Sequence, residues 1–201
     1  MQIKETIYFD NPGRKHTEAV AAAVKKRCEE LKIKHIVVAS NSGETALKFC
    51  EALNGMDVQL VAVTSHTGFH GEDKKALDEE KRRELEQKGV QVIMCSHILS
   101  GVGRSITNRF GGVTSVELIA HTLRRFCEGV KVAVEISIMA ADAGAIPTNT
   151  EIIAAGGTGR GADTAVVLKP AHMNNFFDLE IREIIAMPRQ RRNVSWQKEH
   201  N

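Results

Sequence analysis

The sequence predicts an α/β fold of three layers (α/β/α), with helices on both faces of a mainly parallel sheet. Short apolar runs, typical of strands buried on both faces, alternate along the chain with segments whose apolar residues recur at helical spacing. Short loops join them, which favours parallel strands connected by crossover helices. Toward the C-terminal end, two strand-like runs flank a glycine-rich loop, so we expect an antiparallel hairpin there.

In the first half of the chain, strands and helices alternate. Strands are predicted at residues 6–9, 36–39, 58–63 and 90–95. Helices are predicted at residues 17–31, from the turn at 40–45 to Gly55, and at 72–88. The last of these is highly charged and has few apolar anchors, which is typical of an exposed helix.

The second half begins with a glycine-rich connection, residues 100–112, which we expect to be a long loop that covers a site. Thr114 and Glu117 form a capping box that opens a helix, and Gly129 is expected to end it. The remaining strands are predicted at residues 132–139, 151–155, 164–168 and 181–187, with a small-residue loop at 140–147 after the first of them. The basic tail, with Arg189, Arg191 and Arg192, is expected to be frayed or part of an interface.

Length and composition favour one ordinary domain spanning residues 1–201. The chain is 42% hydrophobic and 26% charged with a net charge of +2, so it shows no strong attraction to nucleic acid or membranes. Aromatic residues make up only 4%, which argues against a base-stacking surface. Four scattered cysteines form no CxxC pair, and no signal peptide or membrane span is apparent, so we expect a cytoplasmic protein with free thiols.

The segment from Ile36 to Lys48 predicts a buried strand, a tight turn and the start of a helix. Asn41 or Ser42 can cap that helix. The turn directs unpaired N–H groups and a partial positive charge away from the carboxyl end of a strand, which suits a phosphate. A turn that only caps its helix is the alternative, since neither a P-loop nor a dinucleotide fingerprint is present. The candidate phosphate-binding residues are Ser40, Asn41, Ser42, Gly43, Glu44 and Thr45.

Other polar and glycine-rich loops are predicted at the same edge, where ligands bind in open α/β sheets. After the strand at 58–63, the candidate ligand-binding residues are Thr64, His66, Thr67 and Gly68. Further candidates on the connection at 100–112 and the loop at 140–147 are Gly103, Arg104, Ser105 and Asp142. The hairpin loop adds Gly157, Thr158, Gly159, Arg160, Gly161 and Asp163.

Among these candidates, two arginines favour anion binding. Arg104 and Arg160 each lie in a glycine-rich segment, and each can donate a pair of hydrogen bonds to a phosphate. Asp163 either accepts a hydrogen bond from a ligand hydroxyl or organises its own loop.

Metal and nucleophile chemistry receive less support. His66 and His70, with Cys95 and His97, suggest a metal cluster. However, His66 and His70 lie in a loop that contains Gly68, where their four-residue spacing does not place both rings on one face, so no metal site is predicted. A serine or cysteine nucleophile lacks the Gly-x-Ser-x-Gly pattern.

The same segments resemble a known family. The strand, turn and helix at 36–46 resemble the Ser/Thr-x-Ser-Gly phosphate loop of the C-terminal domain of pyruvate kinase, and Val61–Thr64 looks like that domain's next strand. The loop from Gly156 to Thr164 stands where the enzyme has its glycine-rich effector loop. The resemblance covers about residues 15–168. With its Tyr-Phe-x-x-Pro-Gly opening, the chain looks most like the stand-alone pyruvate-kinase C-terminal-domain-like proteins of archaea and some bacteria.

The resemblance implies a function, although the sequence also differs from pyruvate kinase at several positions. In pyruvate kinase this domain binds a sugar-phosphate effector and contacts a neighbouring subunit, while the kinase active site lies in a barrel domain that has no counterpart here. For the stand-alone relatives, the resemblance implies flavin mononucleotide (FMN) as the ligand. The only tryptophan is Trp196, in the tail rather than near the effector loop, and residues 96–112 and the last strand lack an obvious counterpart.

The sequence therefore predicts a homo-oligomeric protein that binds a phosphorylated small molecule, FMN first, without pyruvate kinase activity. An enzyme acting on a phosphorylated or flavin-linked substrate and a ligand-free subunit-interaction module are the alternatives.

Overall fold

A seven-stranded sheet forms the centre of the molecule. The structure, a computed structural model, describes residues 1, 3–71 and 73–190, so Arg191, Arg192 and Trp196 lie outside the described residues. Within that part of the chain the strand order is β1-β7-β6-β5-β2-β3-β4, and β6 alone runs against the other strands. The strands are Ile7–Phe9 (β1), His35–Ala39 (β2), Gln59–Thr64 (β3), Gln91–Met94 (β4), Ile152–Gly156 (β5), Thr164–Lys169 (β6) and Glu180–Pro188 (β7). The predicted mainly parallel sheet with antiparallel pairing at the C-terminal end is confirmed.

Helices cover both faces of this sheet, as the sequence predicts. They are Thr17–Leu31 (α1), Glu44–Ala52 (α2), Glu79–Gln87 (α3), Val102–Phe110 (α4), Ser115–Leu123 (α5) and Glu128–Asp142 (α6), with short 3-10 helices at Arg14–His16 and Met173–Asp178. α1, α2 and α3 pack on one face, α6 packs on the other, and α5 packs against α6 from outside. Among the helices that the structure describes, none is long and apolar enough to span a membrane.

The central strands are apolar on both faces because successive side chains point to opposite sides. In β2, Ile36 and Val38 join the core beneath α1 and α2, whereas Val37 joins the core beneath α6. All three are fully buried, and burial of each such side chain contributes roughly 1.5–3 kcal/mol. The position of β2 at the centre of the sheet places the turn that follows it in the middle of the carboxyl edge.

The predicted strand at residues 132–139 is wrong, because this segment lies within α6. Its β-branched residues favour a strand by propensity, but packing on two sides overrides that preference. Val130 and Ile136 face the sheet, whereas Val134 and Ile138 face α5. A helix that is apolar nearly all round is typically a buried one. The predicted loop at 140–147 is therefore the end of α6 and the turn after it, rather than the end of a strand.

Other boundaries also differ from the predictions. Residues 100–112 contain α4 instead of a continuous loop, and α3 begins at Glu79 rather than at residue 72 because Asp78 caps it by accepting a hydrogen bond from the Lys81 N–H. The capping box of Thr114 and Glu117 is confirmed, but α5 ends at Leu123. Gly129 lies in the first turn of α6, where an added Cβ would overlap the Thr164 hydroxyl. This glycine lets α6 approach β6 closely; it does not end a helix.

Candidate functional site

A cavity opens at the carboxyl edge of the sheet. This cavity, called the first cleft, has a volume of about 880 Å³. The turn after β2, the end of β3, the glycine-rich loop after β5 and the N-terminal half of α6 form its walls. The sequence predicts this convergence for the loops, because parallel strands bring their carboxyl ends to one edge. It does not predict the contribution of α6.

The turn after β2 ends in a helix start that is open toward the cleft. Gly43 is the N-cap, with φ of 85°, a conformation that favours glycine. The hydroxyl of Ser40 accepts a hydrogen bond from the N–H of Ala46 at 3.1 Å. The N–H groups of Glu44 and Thr45 have no acceptor among the described residues, as expected for the first turn of a helix. The turn thus presents two free donors and the positive end of a helix.

Asn41 and Ser42 do not cap α2, and this prediction is wrong. Gly43 takes the cap position without a side-chain hydrogen bond, and Asn41 serves the neighbouring loop instead. Its Oδ1 accepts hydrogen bonds from the N–H of Ser65 at 2.9 Å and from the Ser65 hydroxyl at 3.0 Å. Asn41 therefore ties the turn after β2 to the end of β3, and both segments line the cleft.

The glycine-rich loop after β5 is held by Asp163, which is fully buried. Its Oδ2 accepts hydrogen bonds from the N–H groups of Gly13 and Thr158, at 3.0 and 3.2 Å. Its Oδ1 accepts one from the Thr164 hydroxyl at 2.8 Å. Its carboxylate therefore organises the loop, which is one of the two roles that the sequence predicts for it, and Asp163 does not line the first cleft.

Arg104 and Arg160 line the first cleft from opposite segments, α4 and the glycine-rich loop. Both are exposed, and neither guanidinium forms a hydrogen bond or ion pair with another residue in the ranges that the structure covers. Two guanidiniums without protein partners in one cleft supply donors suited to an oxyanion.

The sequence interpretation missed an ion pair on α6. Lys131 and Glu135 line the cleft, and their side chains are only 7% and 5% exposed. Lys131 Nζ lies 2.5 Å from Glu135 Oε2, while Glu135 Oε1 accepts a hydrogen bond from the N–H of Leu99 at 3.0 Å. Burial lowers the pKa of Lys131, and the neighbouring carboxylate opposes that shift. The i,i+4 spacing of Lys and Glu, which is typical of a helix, is the sequence signal that could have revealed the pair.

A cluster of rings forms the wall beside the end of β3. Phe69 and His97 have ring centroids 4.6 Å apart, and His66 contacts both rings edge-on or nearly so. Burial lowers the pKa of His97, which favours its neutral form. Among the described residues, no group of three or more His, Cys, Asp or Glu side chains is placed to hold a metal ion.

The remaining candidates divide between the clefts and other environments. Those that line the first cleft are Ser40, Asn41, Ser42, Glu44, Thr45, Thr64, Arg104, Gly157, Gly159, Arg160 and Gly161. His66, Gly68 and Ser105 line a neighbouring cavity. Gly103 packs against Thr114, and Thr67 donates a hydrogen bond to the sulfur of Met94. Thr158 lines neither cavity; its N–H bonds to Asp163.

Asp142 belongs to neither cleft, contrary to its prediction as a strand-end residue. It is the last residue of α6, and its Oδ1 accepts hydrogen bonds from His172 Nδ1 and from the N–H of Met173. Three residues later, the carbonyl of Ala145 accepts a bond from Gln59, at the start of β3. The placement of residues 132–142 in a helix moves Asp142 away from the carboxyl ends of the strands.

Fold and site together define an open α/β domain with a cleft at the carboxyl edge of a mainly parallel sheet. The sequence model of the pyruvate kinase alpha/beta domain family matches residues 18–168, and the chain belongs to this family. Matching the family over most of the chain confirms the resemblance noted from the sequence.

Solved structures of pyruvate kinases are similar to this chain over part of their length. A pyruvate kinase from Cryptosporidium parvum is 15% identical with a TM-score of 0.41, and the match covers 77% of this chain and 23% of that one. A Cryptosporidium parvum pyruvate kinase in complex with ADP is 17% identical with a TM-score of 0.39, covering 75% and 22% respectively. A third structure of that enzyme is 11% identical with a TM-score of 0.34, covering 83% and 22%. The matched part is therefore less than a quarter of each of those chains.

Proposed function

We propose that this chain binds a phosphorylated small molecule in the first cleft, with the phosphate at the start of α2. The observation that carries the proposal is the pair of free N–H groups of Glu44 and Thr45, which open onto a cleft that also holds Arg104 and Arg160. A helix N-terminus with free donors favours a phosphate through both hydrogen bonds and the helix dipole. Unpaired guanidiniums nearby add charge-assisted donors.

The balance of charge supports this location. Lys131 is already neutralised by Glu135 at 2.5 Å, and Arg124 Nε lies 2.9 Å from Glu128 Oε1. The cations of the cleft that lack a carboxylate partner in the described structure are therefore Arg104 and Arg160. The Glu44 carboxylate also lines the cleft and has no ion-pair partner among the described residues, so it offsets one of these two charges. A small excess of positive charge remains in the lining and favours an anion.

FMN is the ligand proposed first and a sugar phosphate second. The residues present fit FMN: the start of α2 and Arg160 suit its phosphate, and Phe69 and His97 offer ring faces for its flat flavin. The volume of about 880 Å³ lies within the range of roughly 300–1,000 Å³ that is usual for small-molecule sites. A flavin bound there would supply electron- or hydride-transfer chemistry.

A titration with FMN and riboflavin tests this proposal, because the two ligands differ only by the phosphate. If the start of α2 binds the phosphate, FMN should bind at least about tenfold more tightly than riboflavin, since charge-assisted hydrogen bonds contribute roughly 1.5–3 kcal/mol. Fluorescence quenching of the flavin measures both affinities. Equal affinities would contradict the phosphate site. A protein that purifies without flavin absorption, and whose melting temperature no phosphate ligand changes, would favour a subunit-interaction module.

We also propose that the chain has no pyruvate kinase activity and acts as a cytoplasmic homo-oligomer. Phosphoryl transfer needs bound metal ions and a nucleotide cradle, and no sequence segment resembles either. A coupled assay of pyruvate formation from phosphoenolpyruvate and ADP should show no turnover above background. Measurable turnover would contradict the assignment of the chain as a binding domain and favour the enzyme alternative.

A further inference from the structure

A second cavity adjoins the first cleft on the side of α4. This second cleft has a volume of about 850 Å³ and lies between the loop after β3, the segment after β4 and α4. The two clefts share Phe69, His97, Ser100 and Arg104. Ring faces and one guanidinium therefore lie between the two spaces.

α4 is oriented in the opposite way to an ordinary surface helix. An amphipathic helix normally turns its apolar face to the core. In α4, the residues that line the second cleft are small, polar or basic for the most part, including Arg104, Ser105 and Asn108, which share one helical face. Val102, Ile106 and Phe110 form the apolar stripe, and they are 77%, 45% and 79% exposed. Val102 borders the second cleft, whereas Ile106 and Phe110 line neither cleft. Hydrophobic burial therefore does not explain why the polar face points to the cleft.

The lining of the second cleft has one sign of charge. Arg104 and Arg109 contribute two guanidiniums, neither with a hydrogen bond or ion pair to the residues described. Hydroxyls of Ser96, Ser100 and Ser105 and the amide of Asn108 add neutral donors. Within the described ranges no Asp or Glu lines this cleft, whereas three glutamates line the first. The charge of Arg104 acts partly on the Glu117 carboxylate, whose pKa it helps to lower, so Arg109 is the less compensated of the two cations. An excess of positive charge in a concave space favours an anion.

We propose that the second cleft is a separate binding site for a small molecule that carries a carboxylate or phosphate group. Arg109 belongs to this site alone, Arg160 belongs to the first cleft alone, and Arg104 contributes to both. Two molecules, one bound in each cleft, would be separated by the rings of Phe69 and His97. The proposal holds whichever molecule occupies the first cleft.

Nuclear magnetic resonance can observe the two clefts separately in the full chain. The backbone amides of Glu44 and Thr45 report on the first cleft, and those of Ser105 and Asn108 report on the second. Sodium pyrophosphate and sodium succinate serve as probes for a phosphate and a carboxylate ligand. We expect at least one probe to shift the Ser105 and Asn108 signals with saturation, and the probe that binds more tightly identifies the chemistry of the ligand.

Single arginine variants then assign the binding events. Arg109→Gln should weaken binding at the Ser105 and Asn108 signals by about tenfold or more and leave Glu44 and Thr45 unaffected. Arg160→Gln should do the reverse, and Arg104→Gln should weaken both. Arg83→Gln is the control. Arg83 is exposed and lies outside both clefts, and its substitution removes the same charge.

Two results would overturn the second site: no saturable shift at Ser105 and Asn108 with either probe, or a shift that Arg109→Gln and Arg83→Gln weaken equally. If Ser105 and Asn108 shift but Glu44 and Thr45 do not, the result contradicts binding in the first cleft and supports the site in the second.

Discussion

Lys131 and Glu135 form a buried ion pair on one side of α6, with Nζ and Oε2 2.5 Å apart at the lining of the first cleft. Both side chains are almost fully buried, and the N–H of Leu99 satisfies the second carboxylate oxygen. Two opposite charges in a low-dielectric setting stabilise each other strongly only while both are present.

Loss of either partner should therefore destabilise the protein more than loss of both. We expect Lys131→Met to lower the free energy of unfolding by about 3–5 kcal/mol, because Glu135 is left buried and unpaired. Lys131→Met with Glu135→Leu should recover part of this loss, because the unpaired charge is gone but the Leu99 N–H then lacks its acceptor. Urea denaturation of the three proteins measures the effect. The control is Lys34→Met, which breaks an exposed pair with Asp57 and should change stability little. A double variant that is as unstable as Lys131→Met would contradict the expected cost of an unpaired Glu135 carboxylate.

His97 should make stability depend on pH. Burial lowers its pKa below the ordinary 6.5, so the unfolded chain binds a proton that the folded chain excludes. Above about pH 6.5, His97 is neutral in both the folded and the unfolded chain, so its titration does not change stability. As pH falls from there toward the pKa of His97 in the folded protein, protonation of the unfolded chain destabilises the fold. The stability difference between the wild type and His97→Asn should therefore shrink from about pH 8 to about pH 5. His70→Asn, at an exposed neighbouring ring, provides the control. A difference that stays constant with pH would refute this role of His97.

Asp163 should determine the shape of the glycine-rich loop. Replacement by Ala leaves the N–H groups of Gly13 and Thr158 without their acceptor, so we expect a loss of at least about 1–3 kcal/mol in the free energy of unfolding. Asp163→Asn keeps one acceptor oxygen and should retain more stability. Hydrogen exchange at the Gly13 and Thr158 amides measures the local effect. Unchanged protection in Asp163→Ala would mean that the loop is held by other contacts.

The elements with a clear period could be predicted from the sequence, because their pattern agrees with their packing. α1 spans the residues predicted for it, and the strands β2, β3, β5 and β6 lie within one or two residues of their predictions. The turn after β2 reaches the carboxyl edge because a parallel sheet places it there. The capping box of Thr114 and Glu117 is local and could be recognised from four residues.

The errors arise where tertiary packing decides the structure. The β-branched run in α6 alternates like a strand, and only the layers on its two sides make it helical. That error concealed Lys131 and Glu135 and misplaced Asp142. The short glycine-containing α4 is stabilised by its contact with α5, where Thr107 donates a hydrogen bond to Glu117 at 2.5 Å. Sequence alone shows no partner for such a segment.

The dissociation constants of FMN for Thr45→Val and Arg160→Lys, measured beside their melting temperatures, test the phosphate site most directly. Thr45 lines the cleft, and its hydroxyl has no hydrogen-bond partner among the described residues, while Arg160 offers a planar pair of donors that lysine cannot reproduce. Arg83→Lys, an exposed site outside the cleft, is the matched control. We predict that affinity falls about ten- to a hundredfold in both variants, with little change in melting temperature. Unchanged affinity in both variants would contradict a phosphate site at the start of α2.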